Sequence, residues 1–165
     1  MQHVQPRSTT SALVLTAVLI ALTTLFTMYT KIPVPGIRGY FNVGDVVIMT
    51  SALLLGRKYG AYIGAIGPAL ADLFLGYAVF VPITFVVKGI EGYLVGTVYN
   101  NKTTTSALVA TIVGGIVIVA GYFIAEYFVF DPGVAIAGIL TNTIQAVMSV
   151  IISMILYAIL RRRLA

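Results

Sequence analysis

Long apolar segments dominate this chain, and they restrict it to a membrane. Of its 165 residues, 59% are hydrophobic and only 9% are charged, and the mean hydropathy is +1.03. A soluble domain of this length has too small an interior to bury so much apolar surface. The segments approach the roughly 20 residues that a spanning helix needs, and they lack the alternation of a barrel strand. The sequence therefore predicts an all-α, polytopic membrane protein.

Glycine, proline and charged residues divide the apolar sequence into six segments, which we expect to form one integral membrane domain (residues 1–165), a six-transmembrane-helix bundle. The predicted spans are residues 11–28, 43–55, 61–77, 79–99, 107–128 and 134–160. The second is short enough to be a re-entrant segment instead. Charge favours six spans with both termini cytoplasmic, because the basic residues then obey the positive-inside rule. On that topology the cytoplasmic side carries Arg7, Arg57, Lys58, Lys102 and Arg161 to Arg163, and the outer side carries Lys31 and Arg38.

Several functional classes lack support in the sequence. There is no cysteine, and the one histidine, His3, lies in the polar N-terminal tail. No Gly-Lys-Ser/Thr phosphate-binding loop occurs, so we expect no metal, no bound cofactor and no ATP site in this chain. The net charge of +5 follows from membrane topology rather than from a nucleic-acid-binding face. The only residues that would support an enzyme are the intramembrane carboxylates, and they lie in no recognisable catalytic motif. We therefore predict that the protein is not an enzyme.

Three charged residues lie inside the third and fourth predicted spans: Asp72, Lys88 and Glu91. Each costs about 3 kcal/mol at mid-membrane depth, so such residues usually face a bundle interior and pair, or line a ligand path. Pairing of Lys88 with Glu91 or with Asp72 is one interpretation. A proton relay through the three groups is another.

The remaining intramembrane polar residues fall at a similar depth, in the outer half of the predicted bundle. Beside them lies a loop rich in proline and glycine, either a lid over a site or an interfacial loop with its rings at headgroup level. Because these polar residues and the loop fall at one depth, we predict an outward-facing pocket for a small polar or heteroaromatic molecule. The alternative interpretation is that the polar residues form pairs that bond only to each other. The candidate binding residues are Tyr40, Phe41, Asn42, Asp72, Lys88, Tyr122, Glu126, Asn142 and Gln145.

Small residues four positions apart in the first span, Ala17 and Ala21, form a flat face on which another helix can approach closely. Ordinary alanine content in a helix explains the same spacing, and the spacing alone does not decide between the two.

With these motifs in place, the chain resembles the substrate-binding S components of energy-coupling factor (ECF) vitamin transporters along essentially its whole length. The resemblance rests on five motifs in order: Ala17-x-x-x-Ala21, Phe41-Asn-Val-Gly-Asp45, Gly64-Ala-Ile-Gly-Pro-Ala-Leu-Ala-Asp72 with Leu75-Gly-Tyr77, Lys88-Gly-Ile-Glu-Gly92, and Asn142-x-x-Gln145.

The resemblance implies a mechanism. An S component in a prokaryotic plasma membrane binds a vitamin from outside and then topples against a transmembrane coupling subunit that is driven by two ATPase subunits. Ala17 and Ala21 would then form the docking face for the coupling subunit. ATP would be used only by the partner subunits.

The resemblance is strongest to the branch that contains riboflavin, hydroxymethylpyrimidine and pyridoxine S components. Asn142 and Gln145 match the polar pair that riboflavin binders offer to the ring edge, although Gln145 stands where a lysine is expected. Tyr40, Phe41 and Tyr122 would stack on the isoalloxazine. Riboflavin is the predicted ligand, with pyridoxine, hydroxymethylpyrimidine and pantothenate as alternatives. An independent proton-coupled carrier is the alternative from a different class.

Overall fold

The computed structural model describes residues 9–33, 40–99 and 103–164, and in these ranges the chain forms six helices and one two-stranded ribbon. The elements are α1 (Thr9–Tyr29), β1 (Ile32–Pro33), β2 (Tyr40–Phe41), α2 (Gly44–Leu55), α3 (Arg57–Phe74), α4 (Phe80–Val98), α5 (Thr104–Val129) and α6 (Pro132–Leu164). The all-α class is confirmed. The ribbon is an addition to the predicted loop, with Ile32 opposite Phe41 in an antiparallel pair.

Four of the described helices are long and apolar enough to cross a membrane: α1, α4, α5 and α6. Helices α2 and α3 do not meet this description, each for its own reason. Helix α2 has 12 residues, roughly 18 Å at about 1.5 Å per residue, against a hydrocarbon core of about 30 Å. Helix α3 carries three charged side chains, those of Arg57, Lys58 and Asp72. A membrane-spanning helical protein is supported, and the count of six spans stays a prediction.

The connection between α2 and α3 is shorter than predicted. The second and third predicted spans are separated by residues 56–60, whereas α3 already begins at Arg57 and only Gly56 separates the two helices. Gly56 has a φ of 89°, in the left-handed region that glycine enters without steric cost. The chain reverses between α3 and α4, where the third and fourth predicted spans meet, and Gly76 in this turn has a φ of 82°.

The turns place the elements at two opposite ends of the bundle. The hairpin end holds the β1–β2 ribbon and the turns before α4 and α6, and there the Lys31 Nζ lies 4.6 Å from the centroid of the Tyr77 ring. The terminal end holds the α2–α3 turn, the start of α5 and the C-terminal part of α6. There Arg161 lies over the Tyr157 ring. Arg7, Arg38 and Lys102, which contribute to the predicted charge bias, lie outside the described residues.

Helix α2 lies in the centre of the bundle. Every residue from Gly44 to Leu53 is buried, which is the pattern of a helix surrounded by others rather than of an amphipathic surface helix. Its second half meets an apolar core formed by Met49, Ala52, Leu53, Val95, Tyr99, Ala107, Ala110, Ile118, Ala146 and Tyr157. A short helix is stable here because it is covered on all sides by longer ones.

Glycine brings α3 and α4 into backbone contact. A Cβ on Gly92 would overlap the carbonyl of Gly60, and one on Gly64 would overlap the carbonyl of Lys88. In lipid, helices associate through close packing of small residues rather than through the hydrophobic effect. This contact holds the part of α4 that contains Lys88 firmly against α3.

Candidate functional site

A carboxylate that the sequence did not single out as a binding residue, Asp45, lies at the centre of the polar interior. Asp45 is in the first turn of α2 and is fully buried. Its Oδ1 lies 2.5 Å from the Lys88 Nζ, and its Oδ2 accepts a hydrogen bond of 2.7 Å from the Gln145 Nε2. One side chain therefore joins α2, α4 and α6.

Asp45 was missed because an acidic residue in a first turn has an ordinary explanation, the favourable interaction with the helix dipole. A signal was nevertheless present. The whole chain has only five acidic residues, and an intramembrane lysine requires one of them as a partner.

The predicted partners of Lys88 were Glu91 and Asp72, and they did not include Asp45. The Glu91 Oε2 lies 3.6 Å from the Lys88 Nζ, farther than Asp45 does. The same Nζ lies 5.4 Å from the centroid of the Tyr122 ring, within the range of a cation–π interaction. Because Lys88 is only 1% exposed and already surrounded by these groups, its charge is compensated by the protein itself.

Gln145 also holds the end of the proline-rich loop. The backbone N–H of Asn42 donates to the Gln145 Oε1 at 3.0 Å, and the Asn42 Oδ1 accepts from the Gly44 N–H at 2.9 Å. Asn42 is buried. The chain that leads into α2 is thus fixed to α6 within the bundle.

These bonds place the start of α2 well below the hairpin end. Lys88 lies eight residues after the first residue of α4, and Gln145 lies 13 residues after the first residue of α6. At about 1.5 Å per residue these positions are roughly 12 and 20 Å along their helices. Helix α2 therefore begins deep in the bundle, which accounts for its 12 residues.

A small cavity of about 40 Å³ lies beside this network, toward the hairpin end. Its wall includes seven of the nine predicted binding residues: Asn42, Asp72, Lys88, Tyr122, Glu126, Asn142 and Gln145. The side chains of Tyr40 and Phe41 lie outside the described part of the chain. The volume is enough for one or a few water molecules, so a vitamin requires the wall to move outward.

Threonine side chains complete the wall and were not predicted. Thr27, Thr84 and Thr141 contribute to it, and the Thr84 hydroxyl lies 3.0 Å from that of Tyr122. Sequence gives no means of separating them from Thr23, whose hydroxyl donates to a carbonyl of its own helix. Such back-bonding is the usual state of threonine within helices.

Two fully buried polar atoms of residues in the cavity wall have no hydrogen-bond partner among the described residues. They are the Thr27 Oγ1 on α1 and the Glu126 Oε2 on α5. A buried polar atom without a partner costs about 1–3 kcal/mol, and more if it is charged. Both oxygens of Glu91 also lack a hydrogen-bond partner among the described residues, although the Oε2 is ion-paired with Lys88. Glu91 is not among the residues that line the cavity. The arrangement is suited to a ring that supplies the missing donors.

The predicted docking residues lie on the exposed side of α1, whereas Thr27, which lines the cavity, is buried. Ala17 and Ala21 are exposed together with Val14, Val18 and Leu25, whereas Thr16, Thr23 and Thr27 are buried. The small-residue face is therefore open on the outside of the bundle. Its role in docking stays a prediction.

Residues 7–162 match the family model described as ECF-type riboflavin transporter, S component. The chain is 41% identical over 144 residues to an "uncharacterized protein in gap 3'region" of Pyrococcus woesei, covering 86% of this chain and 95% of that protein. It is 30% identical over 152 residues to the thiamine precursor transporter HmpT of Lactococcus lactis subsp. cremoris (strain MG1363). This similarity covers 91% of this chain and 87% of that protein.

A solved structure, described as "Structure and mechanism of the S component of a bacterial ECF transporter", has the same fold. The TM-score is 0.74 and the sequence identity is 20%. The likeness covers 95% of this chain and 99% of that one.

Proposed function

This chain belongs to the family of ECF-type riboflavin transporter S components, and we propose that it binds a small heteroaromatic vitamin or vitamin precursor in the cavity beside Asp45. The family is one of transporters rather than enzymes. Membership implies a prokaryotic plasma membrane and interaction with a coupling subunit and ATPases.

The observation that carries the proposal is the polar cavity itself. Intramembrane polar groups are expensive and are usually kept for function. Here α1, α3, α4, α5 and α6 each contribute at least one to a single cavity, and Asn42 contributes another. Concave sites with a few convergent polar groups are the usual form of a small-molecule site.

A single-ring thiamine precursor, such as hydroxymethylpyrimidine, is the first candidate ligand. The similarity to HmpT supports it. So does the cavity volume of about 40 Å³, because one ring requires less outward movement of the wall than three fused rings do. Riboflavin is the second candidate, supported by the description of the family and by Tyr122 in the wall.

Ligand titration of the purified protein tests this directly. Hydroxymethylpyrimidine is followed by calorimetry and riboflavin by quenching of its fluorescence, with thermal stabilisation as a second readout for both. We expect saturable binding of at least one of them at micromolar concentration. Absence of binding by both, in a folded and monodisperse preparation, would contradict the proposed function.

Asn142 provides a site-directed test, because it lines the cavity and takes no part in the hydrogen bonds that join Asp45 to Lys88 and Gln145. In Asn142→Ala we expect affinity to fall about tenfold, the loss of roughly one hydrogen bond of about 1.4 kcal/mol. Asn42 is unsuitable because it also holds the start of α2. Unchanged affinity in Asn142→Ala would remove Asn142 from the site.

We also propose that the cavity opens to the outside, that both termini are cytoplasmic, and that the Ala17 face docks on the coupling subunit. The exposure of Ala17 and Ala21 supports the docking role, and the basic residues Arg57 and Arg161 at the terminal end support the orientation. Accordingly, Ala17→Leu with Ala21→Leu should leave ligand binding intact and stop cellular uptake. Ala120→Leu with Ala158→Leu, two other exposed alanines, is the matched control.

Reconstitution separates this mechanism from an independent proton-coupled carrier. Liposomes that contain this protein alone should bind the ligand without accumulating it. Accumulation driven by a pH gradient, without ATPase subunits, would support the carrier instead.

A further inference from the structure

We propose that Glu126 is the specificity-determining acceptor of the cavity, which selects neutral or cationic rings that carry N–H or O–H donors and rejects ligands that carry a carboxylate. The inference rests on the proposed function, since it concerns the same cavity. It assigns to one residue the choice between chemical classes of ligand.

Glu126 is a buried carboxylate at the edge of the cavity. It lies near the end of α5 and is only 4% exposed, yet it lines the cavity. Its Oε2 has no hydrogen-bond partner among the described residues. A carboxylate buried in this way is costly unless a donor reaches it. Because Glu126 borders the cavity, a ligand that enters and moves the wall outward can supply that donor.

The space around this carboxylate is kept by a glycine on the facing helix. A Cβ on Gly138 of α6 would overlap the Glu126 Oε2. Any larger residue at position 138 would therefore displace the carboxylate from its present position. The pair formed by Glu126 and Gly138 makes an acceptor at the α5–α6 side of the cavity.

The charges of the wall disfavour an anionic ligand. Among the described residues of the wall, Lys88 is the one cation, while Asp72 and Glu126 are both carboxylates. The positive charge of Lys88 is directed at Asp45, 2.5 Å away. A ligand carboxylate would thus enter beside the Glu126 carboxyl group, with no uncommitted cation among the described residues of the wall to meet it. Two carboxylates in a desolvated site repel each other.

A second unpartnered atom lies on another wall and supplies a further contact. The Thr27 Oγ1 belongs to α1, and α1 makes no packing contact with α5 in the described part of the chain. A ligand that satisfies both Thr27 and Glu126 bridges helices that do not touch each other. Riboflavin, hydroxymethylpyrimidine and pantothenate all carry O–H or N–H donors, but pantothenate also carries a carboxylate.

The test compares Glu126→Gln with the wild type in titrations with riboflavin, hydroxymethylpyrimidine and pantothenate. The substitution keeps the size of the side chain and removes its negative charge. We expect the ligand that binds best to lose about tenfold to a hundredfold in affinity, as for a charge-assisted hydrogen bond. Pantothenate should not compete with the preferred ligand for the wild-type protein. In Glu126→Gln, the preference for that ligand over pantothenate should become smaller.

Two further variants make the outcome interpretable. Asp131→Asn removes a carboxylate from an exposed position five residues along the chain, and it should leave affinity unchanged. Gly138→Ala should weaken binding by displacing Glu126 while retaining the charge. Thermal unfolding of each variant shows whether it is folded.

The titrations distinguish failure of the proposed function from failure of the proposed role of Glu126. If the folded wild type binds none of the three probes, the proposed function itself is contradicted. If the wild type binds riboflavin or hydroxymethylpyrimidine and Glu126→Gln binds it equally well, or if pantothenate competes on equal terms, the role of Glu126 is overturned.

Discussion

The two ends of α2 show two ways of burying a helix inside a membrane protein. At the terminal end, Met49 and Leu53 pack against an apolar core, and glycine lets α3 and α4 meet at their backbones. At the other end, within the same 12 residues, Asp45 enters a network of charged and amide groups. The apolar region leaves single hydroxyls such as that of Thr50 without a hydrogen-bond partner among the described residues. The polar network instead borders a cavity whose wall contains several polar side chains.

The largest expected effect comes from breaking the polar end at Asp45. In Asp45→Ala the ammonium of Lys88 loses its nearest counter-charge while fully buried, and removal of one partner of a buried pair costs about 3–5 kcal/mol. The free energy of unfolding in mixed micelles measures the loss. The double variant Asp45→Ala with Lys88→Met should recover much of it, because this buried pair is then removed as a whole.

Asp131→Ala is the control for the loss of a carboxylate. Asp131 accepts a hydrogen bond from the Val134 N–H at an exposed helix start, so its removal should cost about 1 kcal/mol. A cost at Asp45 no greater than that at Asp131 would contradict the view that the polar network holds this end together.

An intermediate effect is expected at the glycine contact of the terminal end. In Gly92→Ala the new methyl group meets the backbone carbonyl of Gly60, which cannot rotate away, so the helices must separate at a cost of about 1–3 kcal/mol. Gly89→Ala is the matched control on the same helix, since its nearest contact would be the Ala65 Cβ at 3.2 Å. Thermal unfolding in detergent compares them, and equal midpoints would mean that the close approach contributes nothing.

The smallest effect is expected at a polar pair within the apolar end. The hydroxyl groups of Tyr99 and Tyr157 are hydrogen-bonded to each other, and both residues are buried. Tyr157→Phe should cost about 1 kcal/mol, since the Tyr99 hydroxyl loses this bond. Tyr127→Phe, at a residue that is exposed on α5, should cost nothing measurable. A loss at Tyr157 as large as that at Asp45 would erase the distinction between the two ends.

Much of the fold was predictable because its causes are local. The helices begin and end near the expected residues, since apolar run length and turn glycines such as Gly76 act over a few residues. The single-residue connection at Gly56 was not predictable in this way. Arg57 and Lys58 lie outside the predicted spans, yet they form the first turn of α3.

The site was predictable as a set of residues but not as a network. Asp72, Lys88, Glu126 and Asn142 stand out because each is a polar group in an apolar helix, and all four line the cavity. Asp45 did not stand out, because its position at a helix start already has a local explanation.

The sequence by itself determined that this chain enters a membrane as a set of helices with a fixed inventory of buried polar groups, because insertion depends on the polarity of each segment. Only the tertiary structure decided that Lys88 meets Asp45, 43 residues away, that α2 begins deep in the bundle, and that Glu126 lines the cavity. It also decided that the Glu126 Oε2 has no hydrogen-bond partner among the described residues. These features depend on the rotation and relative height of packed helices. They are set by side chains distant in sequence, so no single segment contains the information.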